Sequence, residues 1–300
     1  MSQLHVVDMS PAIYAGSFNR HSIISGDVVK TADGWRERYI PTGGASMLFN
    51  ILAQYFNKGD IAFVADRYPA IKKEMYPNYK GSRVHQELVS VSKDVAEFIL
   101  QDCGFTIHAR EGYEADDVVA NIVDANHDKY DEIFVHTADS DLYLLVDEKV
   151  SILPTSSQAK EVTLENYAYT VKRGQNIAYN TLVFNKFLHG DPGKDIPGMH
   201  NLDIEYCVAK LCPTPAHYKK LGNWKFMRYL VSRLCPKYYD RFQLFYPLPI
   251  DEPWEISAEG NPARIKEWAY EIRNRKIPGK KGDLSAQIEA MMQQSLYLED

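Results

Sequence analysis

EGYEADDVVA (Glu111–Ala120) and IFVHTADSD (Ile133–Asp141) are the stretches on which the fold turns. The first opens a helix predicted over Glu114–Asn126, with Glu114 and Asp117 three residues apart and therefore on one face near its N-terminus. The second is an apolar, β-branched run, Ile133–Ala138, that ends in Asp139, with Asp141 just beyond Ser140 where the strand opens into a loop. The same pattern recurs upstream: Leu4–Val7 precedes Asp8, and Ile61–Ala65 precedes Asp66. Phe105–His108 and Val150–Leu153 add two further runs. Such runs, separated by helical stretches at Ala45–Phe56 and Gln86–Cys103, read as buried, mostly parallel strands of a central sheet in an α/β fold. Gly104 suits the left-handed residue that closes a helix at Asp102-Cys103.

In an open α/β sheet the ligand site lies beyond the carboxyl ends of the strands. Asp8, Asp66 and Asp139 should share that edge, joined by the helix start at Glu114 and by Asp191 and Asp195 in a Gly/Pro-rich turn. A single Asp after a strand is often only a helix cap or turn former; the ordered set carries the argument. Carboxylates brought together repel one another, and divalent cations relieve that repulsion. Oxygen donors without His or Cys select Mg2+ or Mn2+, and so many acids exceed the needs of one octahedral Mg2+. A two-ion site for phosphodiester hydrolysis uses such a cluster.

Composition is that of a soluble globular chain: 300 residues, 45% hydrophobic and 25% charged. Met1–Ser10 shows no signal-peptide pattern and no window is apolar enough for a membrane span, so a cytoplasmic location is expected. Cys103, Cys207, Cys212 and Cys235 fit no common zinc spacing and read as buried thiols. The net charge of -6 argues, taken alone, against a nucleic-acid partner. Local patterns oppose it. Arg67, Lys72, Lys73, Lys80 and Arg83 are interleaved with Tyr68, Tyr76 and Tyr79, placing cations for phosphate beside rings on which bases can stack. Tyr76 and Tyr79 could equally pack in the core. A second basic stretch, Tyr206–Phe242, holds Lys210, Lys219, Lys220, Lys225, Arg228, Arg233, Lys237 and Arg241 against Asp240, with Trp224, Phe226 and Tyr229 reading mainly as a core stripe. Residues 154–179 turn polar and irregular, which divides an α/β domain over residues 1–175 from a helical region over residues 176–300.

Four motifs, EMYPNYKGSR (Glu74–Arg83), EGYEADDVVA, HTADSDLYLLV (His136–Val146) and LHGDPGKDIPG (Leu188–Gly198), resemble those of the structure-specific 5′ nuclease superfamily. Its members include the 5′ to 3′ exonuclease domain of bacterial DNA polymerase I and the bacteriophage flap endonucleases and exonucleases. The resemblance implies an Mg2+-dependent 5′ to 3′ exonuclease or flap endonuclease acting on DNA with 5′ ends or flaps, in replication or repair, with Mn2+ able to substitute. It implies a first metal site of Asp8, Asp66, Glu114 and Asp116 with Asp117 close by, and a second of Asp139, Asp141 and Asp191. Lys80 and Arg83 would be the cations that clamp the scissile phosphate beneath a helical arch over residues 67–95. Arg67, Lys72, Lys73, Tyr76, Tyr79, Lys219, Lys220 and Lys225 are the expected DNA contacts.

The chain departs from the family pattern twice. Lys194 stands where G-D-x-x-D-N-I-P-G has its second Asp, so either Asp195 serves as the ligand or Lys194 puts a cation in the place of one. After Gly198 the glycine-rich hairpin that grips duplex DNA, with K+ as its monovalent ion, is replaced by MHNLDIEYCVAKLC. The expected protein is a monomer with replication proteins as partners and no membrane; the lack of a polymerase-length extension suggests a freestanding enzyme of the phage type, placed in the host cytoplasm. Two rivals are a catalytically weakened DNA-binding accessory protein and a PIN-like ribonuclease. Intact Asp8, Asp66, Glu114, Asp139 and Asp141 argue against the first, and the long Tyr76–Arg83 segment with its E-A-D-D cluster against the second. Setting the nine candidate ligands aside leaves 31 acids against 34 bases, so the bulk acidity is read as the metal site itself.

Overall fold

A computed structural model describes residues 2–18, 23–31, 34–84, 86–155, 160–166, 170–172, 175–177, 179–218, 220–256 and 260–274. Its first elements, in chain order, are β1 (Gln3–Asp8), α1 (Met9–Ser17), β2 (Ile23–Thr31), β3 (Gly34–Pro41), α2 (Gly43–Tyr55), β4 (Asp60–Val64), α3 (Ala70–Met75), α4 (Glu87–Asp102), β5 (Ile107–His108), α5 (Ala115–Asn126), β6 (Glu132–His136) and β7 (Val150–Leu153). There follow β8 (Thr170–Lys172), β9 (Gln175–Ile177), α6 (Tyr179–His189), α7 (Asn201–Leu211), α8 (Pro215–Tyr218), α9 (Trp224–Leu234), α10 (Tyr239–Gln243) and α11 (Pro262–Asn274). The chain divides into two compact units: residues 1–8, 63–83 and 108–256 form one, and residues 9–62, 84–107 and 257–300 the other.

The five predicted strands form one sheet in the order β5-β4-β1-β6-β7. β1 runs parallel to β6 and β6 to β7. Parallel strands are covered on both faces, and the apolar runs show it: Leu4, Val6, Val7, Ala62, Phe63 and Val64 are fully buried. In the first unit α5 packs on β1 and buries Val118, Val119 and Ile122, and its first turn is bonded to Asp66 just past β4. Further along, α6, α9 and α10 bury Phe187, Met227, Val231 and Phe242, and Phe242 stacks on Tyr246 with ring centroids 4.2 Å apart. Of the expected aromatic stripe only Trp224 is fully inside; Tyr229 is 60% exposed because it lies on the opposite face of α9 from Met227.

The second unit is built on α1, α2 and α4, with α11 against α2. The antiparallel hairpin of β2 and β3 belongs to it. Gly16 is required where α1 crosses α2: a Cβ there would stand 2.2 Å from the Gly43 carbonyl oxygen. Gly104 closes α4 with φ 88°, as the sequence suggests. The four cysteines are free and buried. Among the described residues no helix is long and apolar enough to cross a membrane.

Candidate active site

All nine acids singled out in the sequence, together with Lys80 and Arg83, lie in the first unit. Asp8 ends β1, 2% exposed, and its carboxylate accepts a 2.8 Å bond from the Thr137 hydroxyl. Thr137 in turn accepts from the Asp139 amide at 3.0 Å, so one hydroxyl ties the ends of β1 and β6 together. Asp66, just past β4, accepts from the Ala115 amide at 2.7 Å, satisfying an orphan donor of the first turn of α5. Glu114 caps that helix in a reciprocal arrangement with Asp117, whose carboxylate accepts from the Glu114 amide at 3.1 Å.

Asp117 is committed further. Fully buried, it accepts from Lys72 at 3.0 Å and from the Leu248 amide at 2.8 Å, so it anchors α5 and faces no solvent. Glu114 accepts from Lys72 at 2.9 Å, from the Tyr79 hydroxyl at 2.8 Å and from Lys80. Burial alone would raise the Glu114 pKa, but Lys72, Lys80 and Lys194 outweigh it and hold the carboxyl well below the usual range. Asp116 is the opposite case. Burial, then the charges of Asp139, Glu114 and Asp8, push its pKa well above that of an ordinary carboxyl, against the pull of Lys194. Asp8, Asp116 and Asp139 are thus the face of the cluster where like charges meet.

A second group forms around the turn at Leu188–Gly198. Gly190 makes that turn possible: its φ is 83° and a Cβ would meet the Ile196 carbonyl oxygen at 2.4 Å. Asp141 holds an ammonium on each oxygen, Lys186 at 2.6 Å and Lys194 at 2.9 Å. Burial works to raise its pKa, yet those two lysines bring it down to about 2. Asp191 accepts from the Gly193 amide at 2.9 Å and pairs with Lys186 at 3.1 Å. Asp195 adopts a left-handed backbone, φ 58°, and its carboxylate accepts from the amide of Ser82 at 2.8 Å and its hydroxyl at 2.7 Å. Lys80 also has positive φ, 51°, and its amide donates to the Lys194 carbonyl at 3.0 Å. With Tyr76 donating to the Asp195 carbonyl at 3.1 Å and Arg83 to that of Gly193 at 3.3 Å, the loops of residues 76–83 and 191–195 are fastened side by side. Strained backbone at Lys80 and Asp195 is held by these bonds, as strain at functional loops generally is.

The expected DNA contacts divide. Lys72 and Tyr79 are 3% and 0% exposed, their polar atoms turned inward to Glu114, so neither offers itself to DNA in this conformation. Lys73 lies over the ring of exposed Tyr68, 5.8 Å from its centroid. Arg67 pairs with Glu111 at 3.5 Å. Lys220 covers Phe226, and exposed Lys225 pairs with Asp124 beside Trp224. Lys219 lies outside the described residues. Arg228 and Arg241 donate to the carbonyls of Pro247, Phe187 and Pro197, which makes them braces of the helical region. Three contributors were not singled out in the sequence: Thr137, Ser82 and Lys186. Thr137 and Ser82 sit inside quoted motifs and were within reach; Lys186, in the last turn of α6, has no sequence signal tying it to Asp141, 45 residues earlier.

Residues 3–172 match the family described as 5′-3′ exonuclease, N-terminal resolvase-like domain. The chain belongs to this family. Its similarity to DNA polymerase I of Chloroflexus aurantiacus is 27% identity over 178 residues, covering 58% of this chain and 19% of that protein. Thermostable DNA polymerase I of Thermus thermophilus is 26% identical over 165 residues, covering 53% and 19%. The chain spans about a fifth of the length of these relatives. Among solved structures, T5 5′-exonuclease with bound zinc ions aligns with a TM-score of 0.49 at 17% identity, covering 90% of this chain and 98% of that one.

A divalent ion, implied for this 5′-3′ exonuclease family domain, meets two different settings. Among the described residues no group of three or more His, Cys, Asp or Glu side chains is gathered to hold a metal. The donor chemistry around Asp116 nonetheless fits: Asp8, Asp116 and Asp139 are oxygen donors whose mutual repulsion a cation would relieve. The setting around Asp141 and Asp191 does not, because Lys186 and Lys194 already neutralise those acids.

Proposed function

We propose that this domain hydrolyses phosphodiester bonds of DNA near 5′ ends or branch points, as a 5′ to 3′ exonuclease or flap endonuclease, with Mg2+ as the working ion and Mn2+ as its substitute. The observation that carries the reading is that Thr137 ties Asp8 at the end of β1 to the Asp139 amide past β6, while Asp66 is bonded to the Ala115 amide between Glu114 and Asp116, in a domain of this family. Asp8, Asp66, Asp116 and Asp139 would hold the ion, which when bound supplies a water of lowered pKa and neutralises charge on the phosphate.

The chain's own residues do the rest. Thr137 holds the Asp8 carboxylate in position, and the Ala115 amide holds Asp66. Lys80, partly exposed beside Glu114, and exposed Arg83 stand on one fastened loop, and both present cationic donors to a phosphoryl group gaining charge. Arg67, Lys73, Lys220 and Lys225, with Tyr76, supply contacts to the strand and its backbone. Residues 67–95, which include α3 and the start of α4, are proposed to form the arch over the 5′ strand. Action as a monomer in replication, alongside replication proteins, belongs to the same proposal.

Replacement of Asp139 by Asn tests the assignment. Single-turnover cleavage of a 5′-labelled flap should disappear while gel-shift affinity stays within a few-fold, and Lys80→Ala should lower the rate at saturating DNA by about 10²-fold or more. An Asp139→Asn protein that cleaves at the native rate refutes the site.

A further inference from the structure

We propose that Lys186 and Lys194 are resident cations that take the place of a second divalent ion, so that this nuclease works with one. The inference rests on the nuclease reading above and concerns how that site is charged. Its basis is how completely the second group of acids is already used. Both Asp141 oxygens hold ammonium groups, at 2.6 and 2.9 Å. One Asp191 oxygen accepts from the Gly193 amide and the other pairs with Lys186. Asp139, implied for the same site, accepts from the Asp141 amide at 2.9 Å through one oxygen, and Asp195, the alternative ligand there, gives its carboxylate to Ser82.

Charge counting separates the two groups. Asp141 and Asp191 carry two negative charges, and Lys186 and Lys194 bring two positive ones, the charge of a single divalent ion. The first group holds six acids, Asp8, Asp66, Glu114, Asp116, Asp117 and Asp139, and its bonded lysines reach Glu114 and Asp117: Lys72 both of them, Lys80 Glu114. A divalent cation is therefore drawn to the second set of residues far more weakly than to the first. Entry at Asp141 would also require displacing Lys194, whose side chain is only 6% exposed, and stripping a buried ammonium of its partner is costly. Nor is the pair free to drift: Lys186 is fixed on α6, and the Lys194 carbonyl is bonded to the Lys80 amide at 3.0 Å. Fixed ammoniums at this place would neutralise charge on a phosphate without exchanging with solvent.

The number of ions bound decides the matter, and it is read without DNA. The full chain is titrated with Mn2+ and the free ion followed by electron paramagnetic resonance. One Mn2+ per native chain is expected, and two for Lys194→Asp, which exchanges a resident ammonium for a carboxylate. Lys186→Ala should also gain a second, weaker site; it serves where near-ultraviolet circular dichroism shows Lys194→Asp to be unfolded. The Mg2+ dependence of flap cleavage by the native chain should follow a Hill coefficient near 1. Two Mn2+ per native chain, none, or a folded Lys194→Asp that still binds one would overturn the proposal. Failure of the nuclease reading would look different: no cleavage of any labelled DNA with any metal, whatever the Mn2+ count.

Discussion

Lys72 neutralises two acids at once, with its Nζ 2.9 Å from Glu114 and 3.0 Å from Asp117 and its side chain 3% exposed. Burial alone would lower its pKa, but Asp117 and Glu114 overcome that and raise it. Removing one partner of a buried ion pair strands the other, at a cost of about 3–5 kcal/mol. Lys72→Met should therefore lose about that much stability in urea denaturation, whereas Lys73→Ala should change it by no more than about 0.5 kcal/mol. Equal stability of the two variants would show that the pair does not hold α5. The run Arg67–Arg83 reads as a uniform basic stretch in sequence, since what separates Lys72 from Lys73 lies 42 and 45 residues away, at Glu114 and Asp117. His136 gives a pH dependence at the same scale. Burial, and then the charge of His5, bring its pKa down to about 3. A folded-state pKa below the unfolded value of about 6.5 leaves stability intact above that pH. Stability is lost as pH falls from about 6.5 towards 3, by up to about 1.4 kcal/mol per unit. Urea midpoints at pH 7 and 4.5 should show this loss in the native chain and a smaller one in His136→Gln; identical losses would assign the effect to other groups.

Strands and the helices between them were legible because burial on both faces writes a continuous apolar run, and each run here ends close to the expected acid. The β2–β3 hairpin was not: Gly26 and Asp27 interrupt the alternation, where the pairing shifts register between Ser25 and Val28. Gly43 and Gly44 open α2 and are both buried, and Gly43 lies under Gly16 in the α1–α2 crossing. Gly16→Ala should accordingly destabilise the second unit by about 1–3 kcal/mol, through forced separation of two helices, as measured by chemical denaturation. An unchanged midpoint would mean that the crossing yields freely. The turn carrying Asp191 shows how far motif reading goes: its glycines and prolines mark the bend, but which acid faces which cation depends on φ at Asp195 and on the Ser82 loop.

For the whole molecule, the net charge of -6 is a poor guide to its partner. The acids gather at one sheet edge, where four lysines, Lys72, Lys80, Lys186 and Lys194, answer them in part. This internal neutralisation was hidden from the sequence, which suggested acids awaiting ions and lysines awaiting phosphate. A domain of this charge pattern should act on DNA only once a cation reduces the repulsion around Asp116. The most direct measurement is therefore cleavage of a 5′-labelled flap DNA by the native chain, with Mg2+ and with EDTA, beside the matching RNA. Mg2+-dependent release of short 5′ products from DNA, abolished by EDTA, is the expected result. No cleavage of DNA with any divalent ion, or cleavage of RNA alone, would contradict it.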